Sequence, residues 1–426
     1  MESGELPFYQ RALTLLRAGP FRRYMVGSAI SDTGTWMQVM AQAWVVSSLT
    51  DKALVLGMVN FCAGIPTLLL TMTGGSFADK HDKRKILIVT QVVQIGSALS
   101  LGVLVLTGVL HIWHVLVLAA VLGSCVAFEM PALSALVPEL VKKEEIATAI
   151  ALDRSVFHGS RLVGPSLAGL FVGWWGAASA FFCNAGSFLA LIIAMISLPP
   201  RVAGTAEEEE QRRSGFKDGF IYVRQDRVIL SMIALIALTT IFVYPVFSVM
   251  LPLYVRNILH LGPDRLGFLM GTSAVGSLFG ALGLLSVARD LRLKFMTAAV
   301  VVVALALFAM SQSSSFYVTA ACMGTLAVGL SLNFGLAGTI VQERAPGPLR
   351  GRISAIFGLS FFGLMPIAGL LLPGVSDWLG MRTTMCIGAI CFGAGSVTVL
   401  TLAGRQVCAP PTEPVPETEP EVASMT

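Results

Sequence analysis

The sequence GGSFADKHDKRK, from Gly74 to Lys85, separates two long apolar segments that contain almost no charge. Its basic residues are Lys80, Lys83, Arg84 and Lys85. Short loops that are rich in lysine and arginine stay on the cytoplasmic side of a membrane. The stretch therefore predicts a cytoplasmic turn between two transmembrane helices, and with it a helical fold embedded in a membrane.

The composition also indicates an integral membrane protein. Of 426 residues, 55% are hydrophobic and only 13% are charged, and the mean hydropathy is +0.78. A soluble domain has about 25% charged residues, so this chain has too few to cover a water-exposed surface. A transmembrane helix needs about 20 mostly apolar residues, and twelve segments between residues 22 and 404 have this length. We therefore expect an all-α membrane protein with twelve transmembrane helices.

A polar segment after the sixth apolar segment divides the chain into two parts. It contains the run Glu207–Glu210, and a run of charge of this kind is usually solvated. Weak similarity between the parts, with GPSLAGL in one and MPIAGLL in the other, indicates two parallel repeats of six helices. The predicted ranges are a cytoplasmic N-terminal segment 1–21, six-helix halves 22–198 and 228–404, a cytoplasmic linker 199–227 and a disordered cytoplasmic tail 405–426.

The distribution of lysine and arginine predicts the topology. With both termini in the cytoplasm, most of the 29 basic residues fall in cytoplasmic segments. Two more, Arg154 and Arg161, lie within a predicted helix. The basic residues expected on the outer side are Lys52, Arg256, Arg265 and Arg382. This asymmetry favours cytoplasmic termini.

Ionisable residues inside the apolar segments are the first candidates for function. Each costs at least about 2.5 kcal/mol at a helix centre, so it usually faces a cavity or a partner. The candidates for proton coupling or substrate binding are Asp32, Glu129, Asp153, Arg154, His158 and Arg161. The two arginines and His158 share one helical stripe, and we expect Asp32, Glu129 and Arg154 at a similar depth. Two interpretations remain open: a structural network of buried ion pairs, or an acid that carries a proton under the influence of an arginine.

Polar and aromatic residues near these charges predict the walls of a cavity. The candidates are Trp36, Gln38 and Gln42 in the first half and Tyr244 and Asn333 in the second. The apolar segments of the second half contain no clear internal charge, so the cavity should be polar on one side and largely apolar on the other. Such a surface suits amphipathic or hydrophobic compounds better than sugars. The seven cysteines have no metal-site spacing with a histidine, and we expect no metal and no cofactor.

Four stretches together resemble a known family of transporters. The stretch from Gly75 to Arg84 is similar to the loop signature of the major facilitator superfamily. The others are SDTGTWMQ (31–38), FEMPALSALVPEL (128–140) and IALDRSVFHGSRLVGPSLAG (150–169). Over roughly residues 21–405, the chain resembles the bacterial subfamily that contains the enterobactin exporter and drug:proton antiporters. The resemblance implies two six-helix halves that alternate access to a central site.

The resemblance also implies two sets of residues with mechanical roles. The gating residues, which would connect the halves on the cytoplasmic side, are Gly75, Asp79, Lys80, Lys83 and Arg84. The antiporter-like motif of the fifth span, whose small residues permit close helix approach, is Gly164, Pro165, Ala168 and Gly169. The chain departs from the family pattern at three positions: the family often has Arg in place of Leu133, and Asn in place of Asp153 and His158.

The leading prediction is a secondary transporter, not an enzyme, that exports a small amphipathic or hydrophobic compound by proton antiport with alternating access. The alternative is an exporter or flippase of a siderophore or lipid-like metabolite. A membrane enzyme or signalling scaffold is remote, because no nucleotide-binding loop, zinc motif or catalytic triad is apparent. The expected partners are a small-molecule substrate, protons and membrane lipids, with no nucleic acid. We expect a monomer in the bacterial plasma (inner) membrane with both termini cytoplasmic.

Overall fold

The computed structural model describes residues 8–17, 19–198 and 216–407, which form helices and short turns. The helices are α1 Phe8–Arg17, α2 Gly19–Leu49, α3 Ala53–Lys80, α4 Lys83–Leu106, α5 Ile112–Glu139, α6 Ile146–Trp175, α7 Ala177–Ser197, α8 Phe216–Gln225, α9 Arg227–Phe242, α10 Leu251–Leu253, α11 Pro263–Leu284, α12 Arg292–Gln312, α13 Phe316–Arg344, α14 Arg350–Phe362, α15 Met365–Leu379 and α16 Met381–Val407. The described ranges contain no β-strand. Residues 1–7, most of the expected linker at 199–215 and the expected tail from 408 onward lie outside them.

Twelve membrane crossings fit this order of helices. Ten stretches of the described residues have the length and apolarity of a transmembrane helix. One of these, Arg227–Ile258, joins α9 and α10 through π-helical turns, and another joins α14 and α15. The other two crossings, α2 and α6, are 31 and 30 residues long but carry the internal ionisable residues, which lower their apolarity. We call α2–α7 the first half and α9–α16 the second half; the boundaries 22–198 and 228–404 stay predictions.

Each half is a bundle, and the two bundles meet along two seams. In the first half, α2 packs against α6 and α7, while α5 packs against α3 and α4. In the second half, α13 packs against α11 and α12, and α16 packs against α12 and α9. The seams between the halves are α3 with α15 and α6 with α11. The region between these seams is therefore enclosed by both halves.

Small residues bring the helices of both seams into close contact. A Cβ atom at Gly57 of α3 would collide with the carbonyl group of Gly369 in α15. A Cβ atom at Gly169 of α6 would lie 3.2 Å from the Cα atom of Gly267 in α11. Membrane helices associate through such residues because they let the backbones approach. Gly169 belongs to GPSLAGL and Gly369 to MPIAGLL, so both repeated motifs serve the contact between the halves.

One end of the molecule, which we call the basic end, contains the turn between α3 and α4. Here Lys83 forms an ion pair with Glu139 at 2.7 Å, within the first half. Arg344 forms an ion pair with Asp226 at 3.0 Å, within the second half. These two ion pairs stabilise the individual halves rather than the contact between them.

The other end, which we call the opposite end, is joined by polar contacts between the halves. The carboxylate of Asp377 accepts hydrogen bonds from the backbone N–H groups of Ala53 at 2.7 Å and Leu54 at 3.0 Å. Arg256 of the second half forms an ion pair with Asp51 of the first half at 3.2 Å. The structure is therefore closed at the opposite end.

The signature stretch is mostly helical rather than a loop. Helix α3 continues to Lys80 and α4 begins at Lys83, so the turn consists of His81 and Asp82. The Asp82 carboxylate accepts hydrogen bonds from the Arg84 backbone N–H at 3.0 Å and from its guanidinium at 2.8 Å. These hydrogen bonds and the charge of Arg84 hold the pKa of Asp82 below its usual value. Asp82, which stands where the family pattern has glycine, therefore caps α4.

The expected gating residues lie at the basic end, and two of them contact their own half. Lys83 pairs with Glu139 of α5, and Arg84 donates a hydrogen bond to the backbone carbonyl of Leu198 after α7. Asp79 and Lys80 are exposed in the last turn of α3. A connection between the halves through these side chains stays a prediction, which concerns a state closed at the basic end.

The two glycines of this stretch, Gly74 and Gly75, differ in their packing. A Cβ atom at Gly75 would meet nothing within 4 Å. A Cβ atom at Gly74 would collide with the carbonyl group of Ala127 in α5. The sequence pattern selected Gly75 from its place in the signature, whereas the packing of α3 on α5 depends on Gly74.

Candidate functional site

Glu129 of α5 is held by two amide side chains of α4. Gln91 donates a hydrogen bond to one carboxylate oxygen at 2.8 Å, and Gln94 donates to the other. Ser31 of α2 donates a hydrogen bond to the side-chain oxygen of Gln91 at 3.2 Å. Three helices of the first half therefore share one hydrogen-bonded chain that ends at a carboxylate.

Asp32 of α2 lies beside this chain. Ser28 donates a hydrogen bond to its carboxylate at 3.0 Å, and the carboxyl groups of Asp32 and Glu129 are close enough to interact electrostatically. Both side chains are half-buried. Among the ion pairs of the described residues, none includes Asp32 or Glu129. Both acids are held by neutral hydrogen-bond donors.

Within the described residues, the structure therefore shows no ion pair at these two acids, and the relative height of α2 and α6 explains why Arg154 does not reach Asp32. The hydroxyl group of Thr33 donates a hydrogen bond to that of Ser160 at 3.2 Å, so Asp32 is level with Ser160. Arg154 lies about six residues, or roughly 9 Å, nearer to the basic end. The expectation that Arg154 shares the depth of Asp32 is wrong.

The basic stripe of α6 faces the space between the two halves. The guanidinium of Arg161 lies over the ring of Trp36 at 5.4 Å from the ring centroid, a cation–π contact. Arg161 also acts electrostatically on the hydroxyl group of Tyr244, which belongs to the second half. His158 and Arg154 are exposed on the same stripe. The structure thus brings the stripe of α6, Trp36 and Tyr244 together at the centre of the molecule.

Asp153 lies on the basic-end side of Asp32 and close enough to interact with it electrostatically. The hydroxyl group of Tyr24 donates a hydrogen bond to its carboxylate at 2.6 Å. Tyr24 is fully buried between the helices of the first half. The pair therefore joins α2 to α6 toward the basic end, and Asp153 has a structural contact that the sequence did not indicate.

The second half presents an aromatic wall, which we define as Tyr244, Phe334, Phe357 and Phe361. Ring centroids of Phe361 lie 5.2 Å from Tyr244 and 5.4 Å from Phe334. Phe334 lies 5.4 Å from Phe357. We call Tyr244 and Phe361 the central pair of the wall. Tyr244 comes just after the end of α9 at Phe242, and Phe361 lies at the end of α14, which stops at Phe362. Both crossings are therefore interrupted beside the central pair.

Two of the expected cavity residues are buried instead. Gln38 is 4% exposed and accepts a hydrogen bond from Asn184 at 2.7 Å in the contact between α2 and α7. Asn333 is 0% exposed, and its amide nitrogen and oxygen have no hydrogen-bond partner. The sequence shows that a membrane helix contains a polar residue, but not which face of the helix is accessible. Trp36 and Gln42 are half-buried.

The antiporter-like motif of α6 contacts both neighbours of that helix. Gly164 packs against Trp36 of α2, and Gly169 lies in the seam with α11. Pro165 and Ala168 are buried. The motif therefore places α2 and α11 on either side of α6, while a role for it in coupling stays a prediction.

The sequence analysis overlooked Gln91 and Gln94. Residues three positions apart share one face of a helix, and buried amides need hydrogen-bond partners. That spacing within an apolar segment could have indicated a carboxylate partner. Phe334, Phe357 and Phe361 had no such signal, because the chain has 24 Phe residues and many face lipid. In the described residues, no group of three His, Cys, Asp or Glu side chains is arranged to hold a metal ion.

Three curated relatives match this chain over nearly their whole length. Macrolide efflux protein A of Streptococcus pyogenes is 23% identical over 87% of this chain and 95% of its own. Multidrug efflux pump Tap of Mycolicibacterium fortuitum is 24% identical over 87% of this chain and 93% of its own. Tap of Mycobacterium tuberculosis is 25% identical over 90% of this chain and 94% of its own. All three are efflux proteins.

Solved structures of transporters share the fold. A bacterial homologue of the human lysosomal transporter Spinster, in an inward-facing and occupied conformation, has a TM-score of 0.71 at 13% identity, covering 91% of this chain and 97% of its own. A bacterial homologue of the iron transporter ferroportin, in an inward-facing state, has a TM-score of 0.65 at 20% identity, covering 92% and 98%. These likenesses confirm the expected fold.

A family model of membrane transporters covers almost the entire chain. It is described as transmembrane secretion effector and matches residues 10–424. This match confirms the resemblance found in the sequence motifs and the expectation that the protein is not an enzyme. The chain therefore belongs to the transmembrane secretion effector family of the major facilitator superfamily.

Proposed function

We propose that this efflux-class transporter exports a small amphipathic or hydrophobic compound in exchange for protons. The observation that carries the proposal is the pair of half-buried acids, Asp32 and Glu129, which neutral donors hold in the centre of the first half. The two halves would expose this region alternately to the two sides of the membrane. Ionisable groups inside membrane helices commonly mark proton pathways, which supports a role in coupling.

The neutral partners of the two acids favour proton exchange over a purely structural role. Protonating a carboxylate that is paired with arginine leaves an unpaired buried cation, and breaking such a pair costs about 3–5 kcal/mol. Protonating Asp32 or Glu129 leaves only Ser28, Gln91 and Gln94, which are uncharged. Each acid can therefore gain and lose a proton without leaving an unpaired buried cation.

The two walls of the central region support an amphipathic substrate. Arg161, stacked on Trp36, provides a polar anchor on the first half. The aromatic wall provides an apolar surface on the second half, and Tyr244 lies within electrostatic reach of Arg161. The relatives that are named for macrolides and for several drugs support a compound with both polar and apolar parts.

The orientation in the membrane is part of the proposal. The protein is a multi-pass integral membrane protein, and the excess of lysine and arginine at the basic end favours the cytoplasm for that end. Both termini would then be cytoplasmic, in the plasma membrane of a bacterium. In this orientation the structure, closed at the opposite end, is the state that receives substrate from the cytoplasm.

Transport into proteoliposomes tests the mechanism. Purified protein is reconstituted with an acidic lumen, and the uptake of radiolabelled erythromycin and of ethidium is followed while a trapped pH-sensitive dye reports the lumen. We expect uptake of at least one probe with loss of luminal protons, and an ionophore that collapses the pH gradient should abolish it. Uptake that continues at the same rate after the collapse would rule out proton antiport.

The same vesicles separate the alternative substrates. A catecholate siderophore and a fluorescent phospholipid are added as further probes, each with empty vesicles as the control. Proton-coupled uptake of the siderophore or the phospholipid alone would replace the proposed substrate class with the alternative one. Uptake of erythromycin or ethidium that the phospholipid does not inhibit supports the proposed class.

A further inference from the structure

The turn between α2 and α3, residues 50–52, is held at the opposite end by side chains of the other half. Asp377, near the end of α15, accepts hydrogen bonds from the first two backbone N–H groups of α3, those of Ala53 and Leu54. The N-cap residue of α3 is Lys52, and it makes no side-chain cap hydrogen bond. The cap of α3 is therefore supplied by a residue more than three hundred positions away, in the second half.

The end of α2 is held in a corresponding way. Arg256 donates hydrogen bonds to the backbone carbonyl of Ser47, in the last turn of α2, and to the carboxylate of Asp51. Asn257 donates a further hydrogen bond to Asp51 at 3.1 Å. Both donors belong to the π-helical turn that follows α10.

The signs of the two contacts match the dipoles of the two helices. The last carbonyl groups of a helix and its first N–H groups lack intrahelical partners, and they carry partial negative and positive charge respectively. Arg256, a cation, meets the C-terminal end of α2, and Asp377, an anion, meets the N-terminal end of α3. The second half therefore recognises both helix ends of one turn with charges of the favourable sign.

We propose that Asp377 and Arg256 form a clamp on the α2–α3 turn that holds the opposite end closed and must release for that end to open. The clamp acts between the halves, since the helix ends belong to the first half and both charged groups to the second. Its action does not depend on which ion or substrate is transported. Asp377 and Arg256 are positioning residues for the transport cycle, because they touch no part of the proposed central site.

Two other features of this end are consistent with a clamp that releases. Asp377 and the Asp51 side chain are exposed to solvent, so water can replace their hydrogen bonds when the halves separate. A cleft of about 300 Å³ lies between the halves and is lined by residues of the turn together with Asn257 and Asp377. The contact is therefore polar and open to solvent, in contrast to the glycine-mediated packing of the seams beneath it.

Hydrogen–deuterium exchange of the full-length protein in lipid nanodiscs tests the clamp. The variants are Asp377→Ala, Asp377→Asn and Arg256→Gln. Loss of a helix cap corresponds to about a five-fold change in an equilibrium, so we expect Asp377→Ala to shift the ratio of the two states about five-fold. Exchange should rise in the α2–α3 turn and in residues 263–271 of the α6–α11 seam, and fall at residues 80–86 and 139–146 of the basic end. Asp377→Asn should have a smaller effect, because its carbonyl oxygen still accepts one hydrogen bond.

A rise in hydrogen–deuterium exchange at the opposite end together with a fall at the basic end distinguishes a clamp from a merely structural contact. The matched control is Asp264→Asn, which removes a carboxylate of the same half at the same end whose ion pair is with the adjacent Arg265. This control should leave both ends unchanged. Exchange that rises at both ends in Asp377→Ala, or only at the amides of Ala53 and Leu54, would overturn the clamp. Unchanged exchange in both Asp377→Ala and Arg256→Gln would overturn it too.

Discussion

The centres of the two halves are built in different ways. In the first half, charged and amide side chains lie on the uninterrupted helices α2, α4, α5 and α6, where Gln91 and Gln94 hold Glu129. In the second half, the equivalent region consists of aromatic rings, and its central pair, Tyr244 and Phe361, lies beside breaks in α9 and α14. One half therefore fixes polar groups in place, and the other offers an apolar surface on interrupted helices.

The roles proposed for the two halves give this difference a physical reason. A buried carboxylate is tolerable only when its hydrogen-bond partners are fixed around it, which continuous helices achieve. Aromatic rings offer large contact areas with few rotatable bonds, and they accept ligands of different shapes. Interrupted helices are typical of substrate sites in transporters. The comparison predicts that substitutions in the first half alter coupling and those in the aromatic wall alter affinity.

The largest expected effect is the loss of the two acids. The double variant Asp32→Asn with Glu129→Gln should lower gradient-driven uptake by about 100-fold, the scale on which a positioned proton-transfer group acts. Binding of the transported probe should remain, because the aromatic wall and Arg161 are intact. Uptake in proteoliposomes and binding by scintillation proximity measure the two effects. The control is Asp290→Asn, which removes an exposed carboxylate at the basic end; coupled uptake at the normal rate in the double variant would refute the assignment.

The next largest effect is on the free energy of unfolding, and it should differ between two buried amide residues, Asn184 of the first half and Asn333 of the second. Asn184→Leu should lower the free energy of unfolding by about 2 kcal/mol, because it leaves the side chain of the buried Gln38 without its partner. Asn333→Leu should be neutral or stabilising, because the Asn333 amide has no partner to lose. Unfolding in mixed micelles with increasing SDS measures both. Equal destabilisation by the two substitutions would show that Asn333 has a partner in the folded protein.

A smaller effect is expected in the aromatic wall. Phe361→Ala should raise the KM for the transported probe by about ten-fold, since an aromatic contact and its buried area together contribute about 1.4 kcal/mol. The dependence of the rate on the pH gradient should stay as in the wild type, because the acids lie in the other half. Phe308→Ala, which removes an exposed ring of the same half, is the control. A changed pH dependence in Phe361→Ala with an unchanged KM would contradict the division of roles.

The smallest effect concerns the helix caps at the basic end. Asp82→Ala should lower the free energy of unfolding by about 1 kcal/mol at neutral pH, the usual cost of losing a cap. Because the folded-state pKa of Asp82 lies below its usual value of 3.8, the ionised carboxylate stabilises the fold above that pH. This stabilisation disappears as the pH falls through the lower folded-state value, so the cost of Asp82→Ala should shrink in strong acid. SDS unfolding at neutral pH and at about pH 2 measures the difference.

A second aspartate cap at the basic end, at the start of α9 in the second half, provides the comparison. Asp226 accepts hydrogen bonds from the backbone N–H groups of Val228 and Ile229, and it also pairs with Arg344. Asp226→Ala should therefore cost more than Asp82→Ala, because the Asp226 side chain is more buried and caps two backbone N–H groups instead of one. Arg84 also keeps its hydrogen bond to the Leu198 carbonyl when Asp82 is removed. A cost for Asp82→Ala that exceeds that of Asp226→Ala would show that the two turns are not equivalent caps.

The helical architecture was predictable from the sequence, because hydropathy and the spacing of basic residues depend on residues that are close together in the chain. Asp32 and Glu129 were also recognisable, since a charged residue in an apolar segment stands out. Their partners were not, because the relative height of α2 and α6 depends on contacts such as Thr33 with Ser160. The depth of Arg154 in the membrane was counted from a helix end predicted by hydropathy, and this placed Arg154 roughly 9 Å too close to the level of Asp32 along the helix axes.

The opposite end was the least predictable region. Asp377 and Arg256 have no distinctive pattern around them, and apart from the Asp51 carboxylate the groups that they bind are backbone atoms of the first half. Backbone partners leave no trace in side-chain identity, so a single sequence does not reveal them. Asp82 differs, because its cap is local and an aspartate two residues before Arg84 at the start of a helix is a recognisable signal.

The packing of α2 against α6 has a consequence for how the chain is made. Both helices carry charged residues and fall short of the apolarity of the other crossings. Their polar groups satisfy each other through Tyr24 with Asp153 and Thr33 with Ser160. Since α2 leaves the ribosome more than one hundred residues before α6, we expect its insertion to stay incomplete until α6 arrives. The first crossing to be synthesised would then be among the last to reach its final transmembrane position. A chain truncated before α6 should be degraded by membrane proteases faster than the full-length chain.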